Sequence, residues 1–211
     1  MLKSRRYHDT ASITHESRPV KIHSHFVYVC VGVLLTCGAA QATSSLDLGL
    51  SNDSVRVRYG KDVSTSPQGR KELGVGALYN TNDNTMVDAW FHITDEAGSK
   101  APGLDASVGF KAYLGKTKHM EYLGLGIGGA LLYRPVQNNR MVLSAGGYFA
   151  PNIVTFLDAD NLWEINLRIG YEILPAAIAY ISYQNGRVNF GTYENEQVVQ
   201  RGGQLGLELR F

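Results

Sequence analysis

The sequence predicts an all-β chain: a transmembrane, up-and-down antiparallel β-barrel of eight to ten strands behind a cleaved signal peptide. Three observations predict it. After residue 42 the chain alternates apolar and polar residues over segments of 9–13 residues. Glycine and tyrosine are in excess, with 23 and 12 among 211 residues, where glycine at its usual ~7 % would give about 15. The last seven residues, LGLELRF, alternate to a C-terminal phenylalanine.

The N-terminus is expected to leave the mature chain. Residues 26–40 form an apolar run, FVYVCVGVLLTCGAA, preceded by Lys3, Arg5, Arg6, Arg18 and Lys21. Fifteen residues fall short of the roughly 20 that a spanning helix needs, which argues against a membrane anchor. Ala40 and Ala42 flank Gln41 in the small-x-small pattern of a signal-peptidase site, so residues 1–42 read as a secretory signal and residues 43–211 as a single barrel domain. The basic region is long, and a start at Val20 would give a signal of ordinary size. Residues 34–37, LLTC, resemble a lipoprotein processing site, but threonine is a poor residue before the cysteine.

Removing the signal changes the chemistry available. The whole chain has 20 basic and 19 acidic residues; five basic and two acidic ones leave, so the mature chain carries 15 and 17 and a net charge of −2. That balance excludes a basic nucleic-acid binder. Both cysteines, Cys30 and Cys37, leave as well, and with them any disulfide, thiolate metal site or cysteine nucleophile. His92 and His119 alone remain, too few for a histidine cluster. No metal and no cofactor are expected.

The strands follow from a period of two. In residues 162–173, Trp163, Ile165, Leu167, Ile169, Tyr171 and Ile173 share one face and Glu164, Asn166, Arg168, Gly170 and Glu172 the other. Residues 104–114 set Leu104, Ala106, Val108, Phe110, Ala112 and Leu114 against Asp105, Ser107, Gly109, Lys111 and Tyr113. Further strands are expected at 70–80, 85–93, 121–133, 140–150, 176–190 and 205–211, separated by turn chemistry at 80–84, 134–139, 174–175 and 185–186. Parity switches at 51–54, where Leu46, Leu48 and Leu50 give way to Val55, Val57 and Tyr59. A hairpin there gives ten strands and is favoured; a bulge gives nine, which an even antiparallel barrel disallows; eight requires one segment to lie outside the wall.

Strands this long exceed the 5–6 residues usual in soluble domains and match the ~9–11 that a tilted strand needs to cross a bilayer. Lipid satisfies no free backbone N–H or C=O, so a sheet in a membrane must close on itself. Long loops at 191–200 and 151–160 alternating with short turns at 174–175 and 134–139 place both termini in the periplasm. Segment 94–102 is long for a periplasmic turn.

With apolar faces on lipid, the lumen collects Arg56, Arg58, Lys111, Arg168 and Arg210 against Asp88, Asp105, Glu164, Glu172 and Glu208. A barrel of this size has an interior just wide enough for its own side chains or a narrow passage. Balanced charge there is expected to pair into a filled plug, since unpaired buried charge is costly; the alternative is a narrow, porin-like channel lined by the same residues. Trp90, Tyr113, Tyr122, Tyr133, Tyr148, Phe149, Trp163, Tyr171 and Tyr183 lie near strand ends and are expected to form interfacial girdles. Catalysis is not expected; an outer-membrane lipid- or peptide-processing enzyme would have to use His92 or His119, with Ser107 or Ser144 as nucleophile. Along a strand Asp88 stands about 13 Å from His92, too far to orient it. Residues 124–129, GLGIGG, match a dinucleotide fingerprint but lack the helix and the acidic residue that it requires. Glycine facing a crowded lumen explains them better.

Leu205, Leu207, Leu209 and Phe211 resemble the signal by which bacterial outer-membrane barrels are recognised for assembly. Segments 46–59 (LDLGLSNDSVRVRY), 74–80 (GVGALYN), 102–114 (PGLDASVGFKAYL), 148–151 (YFAP) and 206–211 (GLELRF), in that order, resemble the YfaZ family. The resemblance implies a Gram-negative outer-membrane barrel and brings no catalytic residue or ligand. The expected partners are outer-membrane lipids and, through the C-terminal strand, the barrel-assembly machinery; the expected state is a monomer.

Overall fold

The computed structural model describes residues 44–211 except 67–68, 83, 99–100, 118–119 and 192–194. The signal segment with Ala40 and Ala42, and His119, lie outside the described residues. Eleven strands are formed among the rest: β1 Ser44–Leu50, β2 Ser54–Ser66, β3 Gly69–Asn80, β4 Asn84–Glu96, β5 Leu104–Thr117, β6 Met120–Tyr133, β7 Met141–Ala150, β8 Thr155–Leu157, β9 Asn161–Leu174, β10 Ala177–Phe190 and β11 Asn195–Arg210.

Ten of them make the wall. Each pairs antiparallel with its neighbours in chain order, β8 aside, and β1 pairs with β11 to close the ring. At the seam Ser44 N–H donates to the Phe211 carbonyl at 2.7 Å, and Phe211 N–H to the Ser44 carbonyl at 2.9 Å. Ser44 and Phe211 mark the lower end of the barrel. Short β8 is the continuation of β7: after a 3-10 turn at Asn152–Val154 it pairs with the upper end of β6.

The parity switch at 51–54 is a hairpin, with Leu50 opposite Val55 and Ser51 N–H donating to the Ser54 carbonyl at 2.9 Å, which gives the ten-strand count. Segment 94–102 shortens because β4 runs on to Glu96. Gly103 then turns the chain with φ +82°, and a Cβ there would meet the Arg134 carbonyl.

Two expectations fail. Residues 195–200 are not loop: they pair with Gly186–Phe190 as the upper part of β11. Asn185 and Gly186 are not a turn but lie inside β10. A register shift explains the first, and Asn185 and Gly186 lie on the strand beside it. Gly186 faces Gln200 and Arg187 faces Val198, so Val199 is a β-bulge that flips the parity of β11 and hides the strand from a period-two reading.

The wall is apolar outside, and its exterior is exposed in bulk: Val108 is 67 % exposed, Ile181 63 % and Leu205 64 %. Soluble monomers rarely show contiguous apolar patches beyond a few hundred Å². Inside, glycine and aromatic residues face each other across strands: Gly74 with Trp90, Gly115 with Tyr122, Gly206 with Tyr180, Gly109 with His92 and Gly128 with Tyr148. In the first three pairs the ring lies where a glycine Cβ would be. The large residue folds flat into the space its partner leaves, which accounts for much of the glycine and tyrosine excess.

Candidate functional site

Alternation aims every second side chain inward, and the interior stacks in three levels. At the upper end Met86, Tyr122, Leu162, Val188, Phe190 and Val199 pack into an apolar layer, joined by Ala159 from the 151–160 connection. That connection is tied down by Asp160 N–H donating to the Asn189 carbonyl at 2.8 Å and by Thr155 Oγ1 donating to the Asp160 carbonyl at 2.7 Å.

Below this roof lies a ring of four charges. Arg56 on β2 approaches Asp88 on β4 at 3.9 Å and Glu164 on β9 at 3.3 Å. Lys111 on β5 approaches the same two carboxylates at 3.5 and 2.7 Å. Cation and carboxylate alternate, and every charge touches two of opposite sign. The Tyr113 hydroxyl donates to Glu164 at 3.0 Å, and Arg56 donates to the Gln184 side-chain carbonyl at 2.5 Å. Arg56, Asp88 and Lys111 are each no more than 2 % exposed. Charges so deep persist only when paired; Arg56, Lys111 and Glu164 are also hydrogen-bonded, while Asp88 is held by its two ion pairs alone.

A second neutral group sits lower. Arg168 reaches Asp47 at 2.9 Å and Glu208 at 2.8 Å, and Arg210 reaches Glu208 at 2.8 Å. The Tyr180 hydroxyl donates to Asp47 at 2.6 Å while its ring lies 3.5 Å from the Arg168 guanidinium.

Seven of the ten charges selected from sequence thus meet in these groups. Arg58, Asp105 and Glu172 do not: none makes an ion pair among the described residues. Arg58 instead lies over the Trp90 ring at 4.2 Å, and Asp105 lines a cavity. Sequence reasoning misses Asp47, Glu72, Gln184 and Tyr180, although the alternation around Leu46 and Leu48 already turns Asp47 inward.

The girdle assignment needs correction. Trp90, Tyr113 and Tyr122 are buried in the interior, and Tyr148 meets His92 there. Tyr133, Phe149, Tyr171 and Tyr183 are exposed on the outside. Residues at even and odd positions near one strand end point to opposite faces, so nearness to an end does not make a girdle.

Beneath the charge ring, a cavity of about 210 Å³ opens at the lower end, lined among others by Arg58, Glu72, His92, Asp105, Ser144 and Asn166. His92 stacks on Tyr148 and pairs with its hydroxyl. Ser107 donates to the Ala130 carbonyl and accepts from the Ala130 N–H, both at 3.1 Å. No serine–histidine bond is formed among the described residues.

Fold and interior together define a closed, ten-strand, up-and-down antiparallel barrel with an apolar exterior and a charged, layered interior. The chain belongs to the YfaZ family: the family model described as YfaZ precursor matches residues 24–211. No curated protein matches the chain. Among solved structures it is similar to one described as KdgM porin, at 9 % identity, over 80 % of this chain and 99 % of that one, with a TM-score of 0.43.

Proposed function

We propose that this chain is a small outer-membrane barrel that is sealed by its own side chains and serves the envelope structurally or by interaction, rather than by passing solutes. The observation that carries the reading is the ring of Arg56, Asp88, Lys111 and Glu164 lying directly under the apolar roof. Arg56 and Glu164 are joined although β2 and β9 stand four places apart in the ring of strands, so the pairing spans the lumen. A conducting pore of one sign would carry a ring of like charge; here the signs alternate and cancel. The membrane setting is supported by the exposed apolar exterior and by closure of the sheet, which leaves no edge. A non-catalytic role is supported by the engagement of His92 with Tyr148 and of Ser107 with Ala130.

The test is conductance of the full chain refolded into planar bilayers, after gel mobility has shown a heat-sensitive shift in the outer-membrane fraction. The sealed reading expects the shift and no current steps. Reproducible steps would establish the narrow channel instead. A periplasmic protein without a shift would turn the apolar faces inward, and the membrane assignment would fall.

A further inference from the structure

We propose that the lower cavity binds a small monocarboxylate, such as a hydroxy acid, with Arg58 as its anchor. The cavity of about 210 Å³ is roomy enough for a compact polar solute.

The interior charges single out Arg58. Arg56 and Lys111 are matched by Asp88 and Glu164, and Arg168 and Arg210 by Asp47 and Glu208. Each group is neutral by itself. Arg58 stands outside both; it makes no ion pair among the described residues, and its Nε is buried with no hydrogen-bond partner. It is nevertheless held in place. The Trp90 indole covers its guanidinium at 4.2 Å, and Trp90 is itself fixed by donating Nε1–H to Glu72 at 3.1 Å. Gly74, opposite Trp90, leaves the space in which the indole lies.

A guanidinium fixed in orientation on a cavity wall, with no carboxylate in ion-pair reach among the described residues, is built for a planar oxyanion, because the fork of its two terminal nitrogens matches a carboxylate through two parallel hydrogen bonds. The cavity is lined by Arg58, Arg70, Lys111 and Arg168 against Glu72, Asp105 and Glu164, a surplus of one positive charge, which matches one negative charge better than two and favours a monocarboxylate over a phosphate dianion. Thr94, Ser144, Asn166 and Asp105 offer hydrogen bonds to a hydroxyl beyond the carboxylate. Entry from the lower end alone rests on the sealed-barrel reading; the binding itself does not.

The experiment uses the full chain folded in detergent, with Trp163→Phe so that Trp90 is the sole remaining tryptophan of the two. Lactate, acetate and inorganic phosphate are titrated against its fluorescence. Lactate is expected to change the emission saturably. Arg58→Gln is expected to weaken binding at least tenfold, and Lys116→Gln, on an exposed pair with Glu121, to leave it unchanged. Ser144→Leu, which fills the cavity and keeps every charge, is expected to abolish binding and serves if Arg58→Gln loses the heat-sensitive gel shift. Absence of a saturable change with lactate and acetate, or equal binding by a folded Arg58→Gln, overturns the proposal; phosphate binding more tightly than lactate overturns the monocarboxylate. Lactate binding accompanied by current steps would sink the sealed lumen and leave the site standing, whereas a silent barrel that ignores lactate sinks the site alone.

Discussion

Lys111 Nζ lies 2.7 Å from a Glu164 carboxylate oxygen, joining residues 53 apart in sequence across the interior of the barrel. The contact is one side of a closed circuit through Arg56 and Asp88, so neither residue can be removed without stranding the others. Breaking a buried ion pair by deleting one partner typically costs about 3–5 kcal/mol. Glu164→Gln is expected to lose stability of that order. The Lys111→Met/Glu164→Gln double variant leaves Arg56 and Asp88 to pair with each other, so its loss should fall well below the sum of the single losses. Urea unfolding of the four proteins of this cycle in detergent measures the coupling, and additive losses would show that the four charges do not act as a unit.

Gly206 faces Tyr180 across β10 and β11, and the phenol ring occupies the place of a Cβ. The ring has no slack, because its hydroxyl is held by Asp47 at 2.6 Å and its face by Arg168. Gly206→Ala is therefore expected to overpack the site, at about 1–3 kcal/mol. Gly186→Ala is the control: nothing lies within 4 Å of its Cβ position, and only the small backbone effect of losing a glycine remains. The temperature at which each loses its folded gel mobility separates the two; an equal shift would mean that the ring relaxes.

How much of this is legible in the sequence depends on what a period of two encodes. It encodes which face a residue occupies, and so it delivers the strands, the closed barrel and the inward position of Arg56, Asp88, Lys111 and Glu164. It does not encode depth along the axis or partners around the ring. That Glu164 meets Arg56 on β2 depends on strand order and stagger, and that Arg58, two residues further along the same face, meets Trp90 instead is not readable. The alternation is also blind to a bulge: Val199 resets parity, and the upper part of its strand reads as loop. The glycines carry a finer signal than relief of a crowded lumen, since each of several is matched to one ring on the neighbouring strand.

Phe211 sits at the seam, where its N–H and carbonyl both bond to Ser44. Leu205, Leu207, Leu209 and Phe211 are proposed to mark the strand for assembly, and the side chain can be separated from the seam. Phe211→Ala keeps the backbone bonds and removes the ring. Refolding in detergent is expected to be unchanged, while the amount reaching the outer membrane in cells falls several-fold. Equal loss in both settings would assign the ring to stability, and no loss in either would remove it from the assembly signal.

Phe110 tests which solvent the wall meets. It lies near the middle of β5 on the outer face, 52 % exposed, opposite Phe91 and Ile127 on the neighbouring strands. If that face met water, Phe110→Arg would be a surface substitution worth within about 0.5 kcal/mol. At the midplane of a bilayer an arginine on the lipid face costs about 2–4 kcal/mol, falling to about 0–1 near the interface. Val63, toward the lower end of β2 and 57 % exposed, supplies the comparison at the other depth. Folding into lipid vesicles is therefore expected to suffer by about 2–4 kcal/mol for Phe110→Arg and by less than about 1 kcal/mol for Val63→Arg. The difference between two similarly exposed sites is the diagnostic quantity, because a solvent that changes with depth produces it. Two neutral outcomes would place water against the whole wall.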